Sequence, residues 1–241
     1  MSDWKSRLYN AYVSTGQAGD VLHPADLVNP YHQKVVAPLL PARRDVAVLD
    51  LACGNGRLLY NLRACGYTRL TGVDISPEQV AVAHRLGLTE VQCADLAPWV
   101  RSQPAASFDV VCLMDILEHL DKPEVLALLD EVHRILRPGG LLIAHVPNGA
   151  GLFGMRVRYG DFTHEQAFTP QSMQQILRAC RFEGIACMED RPVVHGAKSL
   201  VRAILWQLLT LPLRLLLAAE TGVTRHVLSQ NLLARAAKSQ G

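Results

Sequence analysis

The sequence has little excess charge of either sign. Its 241 residues carry a formal net charge of +2 at pH 7, and its central part lacks a run of Lys and Arg interleaved with aromatic side chains. A nucleic-acid surface normally shows such a basic patch, so nucleic acid is not an expected partner. Internal repeats and low-complexity segments are absent as well. A chain of this length can bury one substantial core, which predicts a single domain.

Metal-binding or redox pairs of cysteine are also missing. The six cysteines include no C-x-x-C pair, and most lie in apolar runs, where a thiol behaves as a small hydrophobic group. The first seven residues are polar and lack the apolar stretch of a signal peptide. We therefore expect a cytoplasmic protein in a reducing compartment.

Short apolar runs alternate with helical patterns along the central part of the chain. The strand candidates are residues 46–50, 70–74, 90–94, 108–114, 141–146 and 184–189. Helices are expected after Ser76-Pro77, after Asp121 and after Thr169-Pro170, where capping residues precede apolar positions at helical spacing. Such alternation predicts an α/β fold with a mostly parallel sheet that is covered by helices on both faces.

The most informative segment is the apolar run from Val46 that ends in the turn Gly54-Asn55-Gly56. A strand followed by a glycine-rich turn and a helix lets the backbone come close to a ligand. Asp74 follows about 20 residues later, at the distance from which a carboxylate accepts hydrogen bonds from ribose hydroxyls. The dinucleotide form of this motif needs a third glycine where Leu59 stands, which disfavours NAD.

At these residues the chain resembles the class I S-adenosylmethionine-dependent methyltransferases, with Ala52 in place of the first glycine of their motif. Further family motifs follow in order at 72–76, 93–96, 108–115 and 136–140. The resemblance implies a Rossmann-like, doubly wound, mostly parallel sheet of seven strands and S-adenosyl-L-methionine as cofactor, with S-adenosyl-L-homocysteine as product. It implies a cofactor site made of Asp50, Ala52, Cys53, Gly54, Asn55, Gly56, Asp74, Ile75, Asp95, Leu96 and Met114.

Two histidines are candidates for a catalytic base. His119 follows the fourth predicted strand, and His164 lies in the long segment 147–168; an imidazole has the pKa range that such a base requires. Alternatively, His119 has only a structural role and catalysis is by alignment of the reactants. The group Asp115, Glu118 and His119 also resembles an arrangement that holds a divalent cation in some quinone-pathway O-methyltransferases. We assign no metal ligand from the sequence.

We expect three regions along the chain. Residues 1–45 form an N-terminal helical lid around Tyr9, Tyr12 and Tyr31, and residues 46–195 form the core, in which 147–168 is the loop on the acceptor side. Residues 196–241 form an apolar and basic helical appendage.

The segment 199–219 within this appendage is strongly apolar but contains Arg214, whose charge makes a membrane-spanning helix costly, and Pro212, which predicts two short helices instead of one. These either lie at the inner face of a membrane or pack on a second copy of the chain. A helical hairpin packed on the domain is the alternative.

The sequence also suggests an acceptor. Residues 158–165, followed by Phe168-Thr-Pro, are similar to bacterial methyltransferases found with polysaccharide and lipopolysaccharide assembly enzymes. This resemblance implies O-methylation of a sugar hydroxyl on a glycan or glycolipid. The alternatives are O-methylation of a quinone or another small molecule, and a non-catalytic scaffold that binds the cofactor. The acidic residues at 50, 74 and 95 argue against the scaffold.

Overall fold

A mixed sheet of seven strands forms the centre of the protein. The computed structural model describes residues 3–9 and 21–240, so Tyr12 of the expected lid lies outside the described residues. The strand order is β3-β2-β1-β4-β5-β7-β6. The strands are β1 Ala47–Leu51, β2 Arg69–Asp74, β3 Val91–Cys93, β4 Phe108–Met114, β5 Leu136–Pro147, β6 Phe182–Glu189 and β7 Asn231–Lys238.

Helices connect the strands and cover both faces of the sheet. They are α1 Asp3–Tyr9, α2 Arg57–Ala64, α3 Pro77–Arg85, α4 Leu96–Ser102, α5 Lys122–Ile135, α6 Gly154–Arg158, α7 Pro170–Ala179 and α8 Ala197–Thr221. Shorter helical turns occupy Pro24–Leu27, His32–Val36, Ala37–Leu39 and Leu117–His119. The start of α5 shows why a helix begins where the sequence predicted. Asp121 Oδ1 accepts from the amide of Glu124, and Glu124 Oε2 accepts from that of Asp121.

The apolar core has one layer on each side of the sheet. Leu49, Val111 and Leu142 point into the layer that contains α5 and α7. Their strand neighbours Val48 and Val110 point into the opposite layer, against α2 and the segment before β1. Strands β1 to β5 are parallel; β1, β4 and the second half of β5 are buried on both faces, whereas β2 and β3 are partly exposed. The α/β fold and the mostly parallel sheet predicted from the sequence are therefore confirmed.

The end of the chain differs from the helical appendage that the sequence predicted, because it contains strand β7. This strand lies between β5 and β6 and pairs antiparallel with both, so residues 231–238 belong to the core sheet and not to a helical appendage. Its sequence, Asn-Leu-Leu-Ala-Arg-Ala-Ala-Lys, consists mainly of residues that favour helices, which hides the strand from local analysis. Pairing on both edges overrides that preference.

The apolar segment 199–219 also differs from its prediction, because it lies in the single helix α8. This is one continuous helix of 25 residues with Pro212 inside it, and not two short helices. Proline removes one backbone hydrogen bond from the helix interior and often bends the helix there. Pro212 lies on the exposed side of α8.

The packing of β2 against the glycine-rich turn yields a prediction about stability. A Cβ atom on Gly72 would lie 2.6 Å from Leu59 Cδ1 and 2.8 Å from Cys53 Sγ. We expect Gly72→Ala to lower the free energy of unfolding by about 1–3 kcal/mol, the usual cost of overpacking a core. Gly149→Ala is the control, because its Cβ would approach no atom closer than 3.6 Å. Urea unfolding measures both, and equal stabilities would contradict this packing.

Candidate functional site

The carboxyl ends of the parallel strands surround a cavity of about 620 Å³. The turn after β1 enters it with left-handed backbone conformations at Ala52 (φ 59°) and Gly54 (φ 55°). Asp74 reaches the cavity from the end of β2, and Asp115 reaches it from the end of β4. Ligands bind at this edge of open α/β sheets, so the topology itself marks the cavity as the candidate site.

Asp74 holds the glycine-rich turn in place. Its Oδ2 accepts from the amide of Gly54 at 2.7 Å, and its Oδ1 accepts from the amide of Ser76 at 2.8 Å. Burial raises the pKa of Asp74, although the two amide bonds act in the opposite direction. A carboxylate oxygen can accept about two hydrogen bonds, so each oxygen keeps capacity for a ligand hydroxyl.

The residues predicted to bind a cofactor fall into two groups. One group lines the cavity: Ala52, Gly54, Asp74, Ile75, Asp95 and Leu96. The other lies behind or beside its wall: Asp50, Cys53, Asn55, Gly56 and Met114. In the second group Gly56 has a packing role, because a Cβ there would lie 2.6 Å from Leu88 Cδ1. Asp95 also caps α4 by accepting from the amide of Ala97.

Helix α1, in the expected lid, closes one side of the cavity and contacts the long loop. Lys5 and Tyr9 of α1 line the cavity, so the described part of the expected lid reaches the site. Lys5 Nζ donates to the carbonyl oxygen of His119 at 2.9 Å and pairs with Glu165 Oε1 at 3.1 Å. Asn148, at the start of the long loop, donates to the carbonyl oxygens of residues 227 and 229. The lid and the loop therefore meet above the sheet.

His119 lines the cavity with an imidazole whose tautomer can be assigned. Its Nδ1 lies 2.8 Å from Thr163 Oγ1, and Thr163 Oγ1 donates its only hydrogen to Asp161 Oδ1 at 2.6 Å. His119 Nδ1 must therefore donate to Thr163, which leaves Nε2 without a proton and able to accept one. Burial, followed by the neighbouring His164, lowers the pKa of His119 to about 4. The imidazole is neutral at neutral pH.

The structure also brings the second candidate base to this point. The rings of His119 and His164 are 4.6 Å apart between centroids, although 44 residues lie between them in the sequence. His164 Nδ1 donates to the carbonyl oxygen of Val157 at 3.1 Å, which leaves its Nε2 as an acceptor. Unlike His119, His164 is not among the residues that line the main cavity.

Three side chains have the arrangement of a metal site, and they are not the three that the sequence suggested. Ligand atoms of Glu118, His119 and His164 lie within 4.8 Å of one another. Asp115 is not among them, because its Oδ1 lies 2.6 Å from Nδ1 of His145. Within the described part of the chain, Glu118 Oε2 is buried without a hydrogen-bond partner. Burial, then Asp115, raises the pKa of Glu118 well above its usual range.

Sequence analysis missed a buried charge cluster beside the cavity. His145, near the end of β5, lies between Asp115 and Asp190, at 2.6 and 3.4 Å. Burial favours the neutral imidazole, but the two carboxylates outweigh it and raise the pKa of His145 to about 10. The ring of Tyr31 packs edge-on against His145, with centroids 5.7 Å apart. The position of His145 at the carboxyl end of an apolar strand was the available signal.

Comparisons with known proteins agree with this geometry. A family model described as a methyltransferase domain matches residues 48–140. A malonyl-[acyl-carrier protein] O-methyltransferase from Herminiimonas arsenicoxydans is 32% identical over 189 residues, which cover 74% of this chain and 70% of that protein. The chain belongs to the class I S-adenosylmethionine-dependent methyltransferases.

Other relatives of this methyltransferase differ in their stated acceptors. A ubiquinone biosynthesis O-methyltransferase from Xanthomonas oryzae pv. oryzae is 35% identical over 136 residues, 52% of each chain, so the match spans about half of that relative. The crystal structure of a SAM-dependent methyltransferase from Archaeoglobus fulgidus superposes with a TM-score of 0.67 at 19% identity, covering 95% of this chain and 99% of that one. That likeness shows the shared fold.

The site of the methyltransferase fits its cofactor, S-adenosyl-L-methionine. Gly54 lines the cavity, and a Cβ there would meet only the end of Gln79, at 3.8 Å, so the turn leaves open space. Asp50, directly behind the turn, has an Oδ1 without a partner among residues 3–9 and 21–240. Burial raises the pKa of Asp50 well above its usual range. A cationic group placed beside this carboxyl, such as the amino group of the cofactor, would favour its ionised form and so offset the cost of its burial.

The contacts of Asp74 lead to a prediction about cofactor affinity. We expect Asp74→Ala to weaken binding of S-adenosyl-L-homocysteine by about 1.5–3 kcal/mol, the scale of hydrogen bonds to a charged group. Glu78→Ala is the control, because Glu78 is exposed in the first turn of α3, two residues after Ser76, and does not line the cavity. Titration calorimetry measures both, and circular dichroism checks the fold. Unchanged affinity in Asp74→Ala would remove Asp74 from the site.

The charged His145 predicts how stability depends on pH. Its pKa rises from the ordinary value of about 6.5 to about 10 in the folded protein. A raised pKa contributes stability that is fully present below about pH 6.5 and is lost as the pH rises through about 10. We expect His145→Gln to be much less stable than the wild type at pH 6, with the difference narrowing towards pH 10. A difference that urea unfolding finds independent of pH would contradict a charged His145.

Proposed function

We propose that this methyltransferase O-methylates a hydroxyl group and that His119 is the base. The hydrogen-bonded series Asp161–Thr163–His119 carries the proposal, because it orients the imidazole and makes Nε2 of this cavity-lining residue the proton acceptor. The bound cofactor supplies a methyl group that is already activated on a sulfonium. His119 Nε2 would take the hydroxyl proton as the acceptor oxygen receives the methyl group in place of sulfur.

The environment of His119 suits this proton transfer. With a pKa of about 4 the imidazole is neutral at neutral pH, so its Nε2 can accept a proton. Burial lowers this pKa and makes the imidazole a weak base before the reaction begins. Asp161, whose pKa is lowered by bonds from Thr163 despite partial burial, stays ionised. Its charge acts through Thr163 on the imidazolium that forms. Lys5, fixed by Glu165 and the carbonyl oxygen of His119, holds the lid over the site and so helps to exclude water.

For the acceptor we infer a sugar hydroxyl of a glycan or glycolipid. The support is the composition of the loop 147–168, which carries the exposed aromatic rings of Tyr159 and Phe162 beside the charged side chains of Arg158 and Asp161. Such rings offer flat apolar faces with polar groups next to them. An alcohol also has to lose its proton during methyl transfer, and His119 would act as the general base that accepts it.

The second candidate acceptor is the phenolic hydroxyl of a quinone precursor. Two observations favour it: the similarity to a ubiquinone biosynthesis O-methyltransferase, and the group Glu118, His119 and His164, whose ligand atoms suit several divalent metals. A bound cation would lower the pKa of a phenol directly, and His119 would then serve as a ligand. A screen of sugar and phenol acceptors with labelled S-adenosyl-L-methionine decides between the two classes.

The role of His119 predicts the behaviour of two variants. With an acceptor from that screen, we expect His119→Gln to lower turnover by roughly 10²–10⁴-fold, while affinity for S-adenosyl-L-homocysteine changes little. Thr163→Val should lower turnover less, because it removes only the orienting partner. His23→Gln, an exposed histidine away from the cavity, is the control.

Three outcomes separate the possible roles. Normal turnover in His119→Gln overturns His119 as the base, and normal turnover in His164→Gln as well leaves alignment alone as the source of catalysis. Activity lost with a chelator and restored by a divalent cation assigns His119 as a ligand. Full activity in the chelator, together with the defect of His119→Gln, supports the base.

A further inference from the structure

The outward face of α8 is apolar along most of its length. Two adjacent rows of residues occupy it: Leu200, Ile204, Leu208, Leu211 and Leu215, and Val201, Leu205, Leu209, Pro212 and Leu216. Leu209 is 71% exposed and Leu216 is 66% exposed. Soluble monomers rarely expose contiguous apolar patches of this kind, which usually mark an interface with a membrane or another protein.

The opposite side of α8 fixes the helix to the domain. Ser199 Oγ accepts from the amide of His195 at 2.8 Å, and Thr210 is fully buried. Arg214 pairs with Glu189 at 2.5 Å and donates to the carbonyl oxygen of His226 at 2.8 Å. The one cation in the middle of this apolar segment is therefore turned inward and neutralised. The outward face carries no charge between Arg202 and Glu220.

The topology determines how such a helix can meet a bilayer. By length and composition α8 could cross one, with a mean hydropathy of 1.6. However, its two ends lead to β6 and β7, which are paired side by side, as at Glu189 and Leu232. A crossing would place these ends about 30 Å apart on opposite sides. The return through residues 222–230 would expose non-helical backbone to hydrocarbon, which is not tolerated. Helix α8 can therefore lie along a membrane but cannot span it.

The charges around the apolar face indicate what covers it. Exposed Lys198 and Arg202 lie at one end of α8, and exposed Arg225 follows the other end. Of the five Lys and Arg in residues 191–226, Arg191 and Arg214 pair with Glu189, which leaves Lys198, Arg202 and Arg225 against one carboxylate, Glu220. A second copy docked on this face would bring like charges together. Anionic lipid headgroups complement them, as they do for interfacial amphipathic helices.

We propose that α8 binds the surface of an anionic bilayer, lying in the interface with its two apolar rows among the lipid chains. Lys198, Arg202 and Arg225 contact the headgroups at the two ends of the helix. This proposal does not depend on which acceptor the enzyme methylates, and its test does not use activity.

The test is flotation of the full-length protein with vesicles. We expect binding to vesicles of phosphatidylglycerol and phosphatidylcholine, weaker binding at high salt, and little binding to phosphatidylcholine alone. Leu209→Glu with Leu216→Glu should reduce binding by roughly 100-fold, because two buried leucines are lost and two like charges are added to the lipid-facing side. The matched control is Leu22→Glu with Leu126→Glu, the same change at exposed leucines outside α8.

The outcomes separate a membrane from a protein partner. Circular dichroism of each variant confirms that the fold is retained, which the exposure of these leucines leads us to expect. Absence of flotation with anionic vesicles overturns the proposal. A dimer that Leu209→Glu with Leu216→Glu dissociates, in a protein that does not bind vesicles, assigns the apolar face to a second copy instead. Equal loss of binding in the control pair shows that added negative charge alone is responsible and also overturns it.

Discussion

The common direction of β1, β2, β4 and β5 is the constraint on which the functional site depends. Strands β1 and β4 are almost entirely buried and β2 is buried towards its carboxyl end, and the polar side chains that reach the cavity come from the strand ends. Asp74, Asp115 and His145 all occupy such positions. Parallel pairing therefore gathers at one edge the charged groups that are far apart in the sequence, and the loops from the same edge supply the rest.

Two buried histidines of this edge have opposite pKa shifts, although burial lowers the pKa of both. His145 is flanked by two carboxylates and holds a proton up to about pH 10, whereas His119 is bonded to a neutral hydroxyl and loses its proton near pH 4. The difference lies in the partner: an ionised carboxylate in contact offsets the cost of burying a charge, and a carboxylate one hydroxyl further away does not. One histidine thus supports the structure as a cation, while the other stays neutral for chemistry.

Local motifs predicted the fold well, and long-range contacts account for what was missed. The turn at Gly54 and the capping pair Asp121 and Glu124 are encoded within a few residues, so periodicity and capping rules find them. The strand at 231–238 has helix-forming residues, and only its neighbours in the sheet make it a strand. The cluster around His145 unites residues from three strand ends. The pairing of His119 with His164 likewise depends on how the loop 147–168 folds back.

The position of β7 affects the order in which the protein can form. Strand β5 is complete at Pro147, but its second neighbour begins only at Asn231, after α8 has been made. On the ribosome, β5 must therefore wait with one open edge while a long apolar helix emerges, and an unpaired strand edge invites wrong partners. An early encounter of α8 with a lipid surface would keep that helix away from the open edge until β7 arrives.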